Sequence, residues 1–231
     1  MKSSYYKYFA ALLLFGSNGI VASNINLPSY EIVLLRLLLG SLFLIAVFMA
    51  SGQKFTFYRN KHTCLYLFIS ASAMGASWML LYEAYHQVGV SIASLAYYCG
   101  PVIVMILSPF LFRETLTWPK IAGFLTVLAG MCLVNLQALD EGKTIWGLFC
   151  GLMSAFMYAL MVTANKKAKP ESGLENSLLQ LVIGSFIVVA FVSMQKNFVL
   201  SLTTIDWIPV LLLGLLNTGI GCYLYFSSIT D

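Results

Sequence analysis

Charged residues are scarce in this chain of 231 amino acids. Only 10% of the residues are Asp, Glu, Lys or Arg, two are histidines, and 60% are apolar. A soluble domain averages about 25% charged residues, so this composition excludes an ordinary water-soluble fold. We therefore interpret the net charge of +4 as a marker of membrane orientation, and we expect no nucleic-acid partner.

Motifs of enzymes and cofactor sites are also missing. The sequence contains no H-E-x-x-H, no G-x-S-x-G and no phosphate-binding loop in a suitable context. Its five cysteines are scattered and odd in number, which argues against a disulfide framework and against a C-x-x-C metal site. The sequence thus predicts a protein that is not an enzyme and that uses no metal or other cofactor.

Long apolar runs are what the sequence does contain. Eight of them approach or reach the roughly 20 residues that a spanning helix needs. They cover residues 8–25, 30–50, 64–85, 91–112, 119–137, 145–164, 176–194 and 207–228. Unbroken runs of this kind indicate helices and not barrel strands. We therefore predict an all-α membrane protein, a polytopic helical bundle; for the first run alone, a signal peptide is the alternative.

Basic residues are distributed unevenly among the predicted loops. If the N-terminus is cytoplasmic, ten Lys and Arg residues fall on the cytoplasmic side and two, Lys143 and Lys196, fall on the other. The positive-inside rule favours this orientation. We expect a multi-pass protein of the cell membrane with its N-terminus in the cytoplasm.

A weak internal repeat relates the two halves of the chain. A shift of 140 to 144 residues places the first run on the sixth and the third on the eighth, with Gly75 on Gly219. Five spans separate the partners, and because five is odd the two copies would be inverted in the membrane, as in many secondary transporters. We predict a first five-span repeat at residues 1–139 and an incomplete second repeat, with three spans, at residues 140–231.

Short motifs around the fourth and fifth runs occur in an order that is typical of one transporter group. They are Ala93-Ser94-Leu95, Gly100-Pro101, Glu114-Thr115-Leu116, Gly123 and Gly130. In these residues the chain resembles the EamA family of the drug/metabolite transporter superfamily. The resemblance implies an inverted repeat of five plus five spans, of which eight are present. A truncated chain, or a natural short form that borrows helices from a partner, would explain the difference.

The function implied by the resemblance is secondary transport. The expected substrate is a small polar metabolite, such as an amino acid or a related organic solute, moved by alternating access. The alternatives are a membrane-embedded receptor or accessory subunit, an inactive transporter fragment, and an intramembrane enzyme. The expected partners are the lipid bilayer and a small-molecule substrate, with a coupled proton and a homodimer as further options.

Nine polar or aromatic residues in the runs are predicted to form the substrate site. They are Asn18, Trp78, Glu83, His86, Tyr97, Tyr98, Tyr158, Asn217 and Tyr225. The resemblance implies a pocket lined by the first and third helices of both copies and by the fourth helix. Each residue also has a structural alternative, because intramembrane asparagines join helices and aromatic residues often pack or anchor at the interface.

Glu83 and His86 are ionisable groups at membrane depth, where each is costly unless it faces protein or water. Steps of three and four residues place them on one helix face with Ser72, Gly75 and Met79. We expect this face to point inward, with Glu83 as a substrate or proton partner. The alternative is a polar pair at the outer interface, close to water.

Two further residues in the runs have open interpretations. Arg36 is interpreted as a brace for neighbouring helices or carbonyl groups in preference to a substrate contact. Pro101 removes a backbone donor, so a kink is expected there, with a carbonyl freed near Tyr97. That kink would line a cavity or serve packing alone.

Overall fold

The computed structural model describes residues 2–113, 115, 117–135, 145–194 and 207–230. Every regular element among them is a helix, which confirms the predicted all-α class. The first half contains α1 (Lys2–Gly16), α2 (Asn18–Ser23), α3 (Ser29–Ser51), a 3-10 turn (Phe57–Arg59), α4 (Lys61–Tyr97), α5 (Cys99–Phe112) and α6 (Trp118–Asn135). The second half contains α7 (Ile145–Ala168), α8 (Gly173–Ser193), α9 (Trp207–Leu211), a π-helix (Leu212–Ile220) and α10 (Gly221–Thr230).

Three breaks interrupt the helices of the first half. Ser17 separates α1 from α2, inside a run that was predicted as one helix. Gly89 has φ 82° and ψ 161° within α4, a conformation that glycine adopts without a steric penalty, and it lies between the predicted third and fourth runs. Tyr98 separates α4 from α5 three residues before Pro101, where the ring of a proline disturbs the preceding turn. The helix is therefore interrupted close to the position where a kink was expected.

Five helical segments are long and apolar enough to cross a membrane, judged by length and composition over the described residues. They are Tyr30–Ser51, Lys61–Phe112, Ile145–Ala168, Gly173–Ser193 and Trp207–Ile229. The second of these has 52 residues and contains both the third and the fourth predicted runs. The chain is therefore a multi-pass membrane protein, while the count of eight spans stays a prediction.

The outer surface of the bundle carries many large apolar side chains. Phe110 is 81% exposed, Ile145 86% and Ile20 71%. So many exposed large apolar side chains are unusual on a water-soluble monomer and are expected where helices face lipid. The apolar exterior agrees with the scarcity of charge in the sequence.

The helices of the two halves pack against each other to form one interior. Helix α4 packs along α7, α3 packs against α8 and the π-helix, and α1 packs against α10. Side chains from both halves, among them Leu37, Met74, Leu181 and Val188, are almost completely buried in this interior. Because these contacts join distant parts of the sequence, any site inside the bundle has walls from both halves.

Polar side chains hydrogen-bond between helices inside the bundle. Asn165 of α7 and Asn176 of α8 exchange two amide hydrogen bonds of 2.9 and 3.1 Å, and both residues are fully buried. The hydroxyl groups of Ser41 and Ser185 lie 2.9 Å apart between α3 and α8. Hydrogen bonds of this kind help helices to associate in a membrane. The hydrophobic effect does not bring helices together there, because the lipid tails are as apolar as the helix surfaces.

A buried carboxylate connects the first turn of α8 to the loop before α4. Glu175 is 3% exposed, and its Oε1 accepts hydrogen bonds from the backbone N–H groups of Thr56, at 2.6 Å, and Phe57, at 2.9 Å. Its Oε2 accepts from the Thr56 hydroxyl at 2.6 Å. The carboxylate also lies at a helix N-terminus, where the helix dipole favours negative charge. Glu175 therefore fastens a loop of the first half to the second half.

Candidate functional site

A cavity lies inside the bundle between α1, α3, α4, α5, α7 and α10, and we refer to it as the central cavity. It has a volume of about 140 Å³. Seven of its twenty lining residues are tyrosines, and most of the others are apolar. Among the described lining residues, Arg36 alone carries a charge at neutral pH. A mostly apolar cavity with a few polar groups is the usual form of a small-molecule site.

Arg36 is held in place by partners from both halves of the chain. It is the eighth residue of α3, about 10 Å along the helix at 1.5 Å per residue, and it is 2% exposed. Its Nε donates to Thr218 Oγ1 at 2.9 Å, and its Nη1 donates to the Tyr82 hydroxyl at 2.5 Å. The guanidinium carbon lies 4.1 Å from the centre of the Trp78 ring, within the range of a cation–π interaction.

Three tyrosines line the part of the cavity nearest α7 and α10. The hydroxyl groups of Tyr158 and Tyr225 lie 3.0 Å apart, at hydrogen-bonding distance. The Tyr97 ring meets the Tyr158 ring edge-on, with centroids 5.4 Å apart. Tyr97 is the last residue of α4, so the break at Tyr98 brings two neighbouring tyrosines to the cavity. These rings give the cavity aromatic walls with several hydroxyl groups.

Asn217 fixes the break between α1 and α2 to the π-helix. Its Nδ2 lies 3.0 Å from the carbonyl oxygen of Leu14, 2.9 Å from Ser17 Oγ and 2.9 Å from Asn18 Oδ1. The break frees carbonyl groups that need donors, and the buried amide of Asn217 supplies one. Asn18 thereby occupies a defined position in the cavity wall.

The structure brings most of the predicted site residues to one place. The residues that line the central cavity are Asn18, Trp78, Tyr97, Tyr98, Tyr158 and Tyr225. Asn217 is buried beside the cavity and contacts Asn18. Whether these residues bind a substrate stays a prediction.

Glu83 and His86 lie outside the lining of the central cavity. Glu83 Oε1 accepts a hydrogen bond from Gln87 Nε2 at 2.9 Å, and His86 is exposed. Before the break at Gly89, the residues of α4 that line the cavity are Met74, Trp78, Leu81, Tyr82 and Tyr85. Glu83 follows Tyr82 by one residue and therefore points about 100° away around the helix. The helix face that carries Glu83 was expected to point into the cavity. The adjacent face, which carries Tyr82, does so instead.

Arg36 is the charged lining residue that the predicted set of site residues omitted. Its pattern in the sequence, a lone cation in a run with no acidic residue three or four positions away, was a usable signal, because a cation without a local partner needs one elsewhere. The aromatic partners come from α4 and the hydroxyl partner from the π-helix, so the sequence around α3 does not contain them.

Comparison with known proteins identifies the family of the chain. The model of the EamA-like transporter family matches residues 3–136 and 145–231. The chain belongs to this family. The resemblance found in the sequence motifs is confirmed, and the protein is a membrane protein of a transporter family with a lipid environment and small-molecule substrates.

Several named relatives of this EamA-family chain are themselves transporters. An uncharacterized transporter, YxxF, from Bacillus subtilis (strain 168) is 28% identical over 230 residues, 96% of this chain and 72% of that protein. A biotin transporter from Salmonella typhimurium is 22% identical over 204 residues, 87% of this chain and 66% of that protein. An uncharacterized transporter from Acidianus ambivalens is 26% identical over 193 residues, 84% of this chain and 71% of that protein.

The crystal structure of another protein has the same fold. It superimposes on this chain with a TM-score of 0.79 at 19% sequence identity. The match covers all of this chain and 80% of the other one. At this identity the likeness concerns the fold alone.

Proposed function

We propose that this EamA-family chain is a secondary transporter that carries a small polar organic solute through the central cavity by alternating access. The main support is Arg36, which hydrogen-bonds Tyr82 from the first half and Thr218 from the second. A solute bound beside this guanidinium would contact both halves. A movement of one half against the other would then change the surroundings of the solute, as alternating access requires.

An inverted repeat with an offset of 144 residues is part of this proposal. Ser41 and Ser185 are related by that offset, and their hydroxyl groups lie 2.9 Å apart, as expected for residues on a twofold axis. Gly40 and Gly184 are related in the same way. A Cβ placed on Gly40 would lie near Leu181 Cδ1, and a Cβ placed on Gly184 would lie near Leu37 Cδ2. The two leucines are themselves 144 residues apart.

Two helix pairs would open alternately under this symmetry. The pair α1 and α10 and the pair α4 and α7 are equivalent under an inverted repeat, so they would close the cavity on opposite sides of the membrane. In this structure the contact of α4 with α7 is much more extensive than the contact of α1 with α10. We propose that the cycle exchanges these two arrangements.

The orientation and the substrate are further parts of the proposal. We propose a cytoplasmic N-terminus in the cell membrane, because Lys and Arg are concentrated on one predicted side. Amino acids and related organic solutes are the candidate substrates. Biotin is a specific candidate, because relatives from Salmonella typhimurium and Escherichia coli carry the name biotin transporter.

Uptake into liposomes tests the proposed function. Purified protein is reconstituted, and accumulation of radiolabelled biotin, amino acids and small organic acids is compared with protein-free liposomes. We expect at least one of these solutes to accumulate. If none does, the proposal of transport by this chain is wrong.

A cysteine in the cavity wall tests whether transport uses this cavity. Cys222 lines the central cavity, whereas Cys64 is exposed at the start of α4 and away from it. Cys222 is buried in this structure, so a maleimide can reach it only when the cavity opens during the cycle. We expect a maleimide to block uptake in this way, Cys222→Ser to make uptake resistant, and the matched variant Cys64→Ser to remain sensitive. Equal block of both variants would place the path of the solute elsewhere.

A further inference from the structure

One nitrogen of the Arg36 guanidinium has no hydrogen-bond partner among the described residues. Its Nε and Nη1 are hydrogen-bonded, but Nη2 is buried and meets no acceptor in the part of the chain that the structure describes. The residue is 2% exposed and lines the central cavity. A buried charged donor without a partner is unfavourable, so a site that keeps one is suited to a ligand that supplies the acceptor.

The cavity wall leaves the positive charge of Arg36 uncompensated by any carboxylate. None of the described lining residues is Asp or Glu. The faces of Trp78 and Tyr82, at 4.1 and 5.3 Å from the guanidinium carbon, offer only the partial attraction of their ring electrons. A ligand with one negative charge would complete the site.

We propose that the central cavity binds an organic monocarboxylate, with the carboxylate on Nη2 of Arg36 and an apolar or aromatic body against the tyrosines. The inference names the substrate class of the transporter proposed above and rests on that proposal. Charge-assisted hydrogen bonds between guanidinium and carboxylate are among the strongest in proteins, and the planar donor matches the planar acceptor.

A second hydrogen bond to the carboxylate is available from Tyr82. The Tyr82 oxygen accepts from Arg36 Nη1, and among the described residues no hydrogen bond uses the O–H of Tyr82, so this group can act as a donor. Nη2 and this hydroxyl belong to groups already joined to each other, so they lie next to one another. One carboxylate can bind both with its two oxygens.

Charge and size separate this ligand class from its competitors. A phosphate dianion carries two negative charges. Arg36 balances one of them, and the described lining residues offer no second cation. A zwitterionic amino acid would leave its ammonium without a carboxylate among the described lining residues, so among the candidate substrates of the proposed transporter the organic acids are favoured over the amino acids. The volume of about 140 Å³ is close to the roughly 150 Å³ of an engineered cavity that binds benzene. An acid with a body of about one aromatic ring therefore fits.

Matched acids and amides test the inference on the unaltered chain. Benzoate is compared with benzamide, and phenylacetate with phenylacetamide, by titration calorimetry on the purified protein at neutral pH. The members of each pair have nearly the same shape and differ in charge. We expect each acid to bind at least about tenfold more tightly than its amide, which corresponds to ~1.4 kcal/mol. Equal affinity within the pairs, or no binding of either acid, overturns the proposal.

Arginine variants assign the acid preference to one residue. Arg36→Gln should abolish it, and Arg59→Gln, the same change at an exposed arginine, should retain it. If Arg36→Gln does not fold, protection of the unaltered protein replaces it: benzoate, and not benzamide, should slow modification of Arg36 by phenylglyoxal, followed by mass spectrometry. A preference that survives Arg36→Gln, or an absence of protection, contradicts the assignment.

Two further measurements define the anion and separate this inference from the proposed function. Inorganic phosphate should bind at least about tenfold more weakly than benzoate, and equal affinity would exclude a carboxylate site.

Uptake of the same acids and amides into liposomes is then measured. Acids that bind but are not taken up refute transport and leave the inference standing. Equal uptake of acids and amides leaves transport standing and refutes the inference.

Discussion

Removing the Glu175 carboxylate should weaken the connection between the two halves of the chain. The carboxylate accepts three hydrogen bonds, from two backbone N–H groups and one hydroxyl of the loop at Thr56 and Phe57. A hydrogen bond to a charged group contributes about 1.5–3 kcal/mol. These three share one loop and border a surface pocket of about 350 Å³, where water can replace them, so their sum is an upper bound.

We therefore expect Glu175→Ala to lower the free energy of unfolding by about 2–4 kcal/mol. Glu175→Gln should lower it by about 1–2 kcal/mol, because the amide oxygen can still accept from both backbone N–H groups, whereas the charge and the acceptor for the Thr56 hydroxyl are lost. The free energy is measured by unfolding the purified protein in a denaturing detergent. Glu171→Ala is the matched control, since Glu171 is an exposed carboxylate four residues earlier.

The ranking of the variants is the decisive outcome. If Glu175→Ala unfolds with the same free energy as the unaltered protein, the three bonds contribute nothing and the connection is not structural. If Glu175→Gln is as unstable as Glu175→Ala, the charge itself, and not the geometry of the acceptor, holds the loop.

Three further predictions concern packing, orientation and proton movement. Gly40→Ala should destabilise the protein by about 1–3 kcal/mol, because a Cβ at this position would lie 2.8 Å from a Thr218 methyl group. Gly16→Ala is the control, since a Cβ there would meet nothing within 4 Å. Equal stabilities of the two variants would contradict the close packing at Gly40. An impermeant thiol reagent should label Asn26→Cys on intact cells and reach Cys64 only after permeabilisation; the reverse pattern would invert the topology. Glu83 lies outside the lining of the central cavity, so Glu83→Gln should keep the thermal stability and should lower transport or change its pH dependence only through the loss of the proton-binding group; unchanged transport would make Glu83 an interfacial residue.

The sequence by itself determined the class of the protein. A chain with 60% apolar residues has to satisfy its backbone hydrogen bonds within each segment, and helices do this locally. The helices α3, α7 and α8 accordingly begin and end within a few residues of the predicted runs. The family was also accessible, because the motifs around Gly100-Pro101 lie close together in the chain. Properties of this kind depend on neighbours along the sequence.

The candidate site was only partly accessible from the sequence. Six aromatic and polar residues in the predicted set line the cavity, since such residues are the plausible polar surface inside an apolar bundle. The face of α4 was one residue out of register, because the stripes that contain Glu83 and Tyr82 both follow helical spacing and differ only in what packs against them. The periodicity of a sequence identifies the faces of a helix, but it does not show which other helix or cavity each face contacts.

Only the tertiary structure decided the surroundings of Arg36. The residue has no partner on its own helix at three or four positions, and its surroundings come from Trp78 and Tyr82 of α4 and from Thr218 of the π-helix. The last of these is 182 residues away in the chain. Electrostatic and hydrogen-bond energies depend on distances in space, so a buried cation becomes a binding group or a brace according to which of its donors the folded chain leaves free.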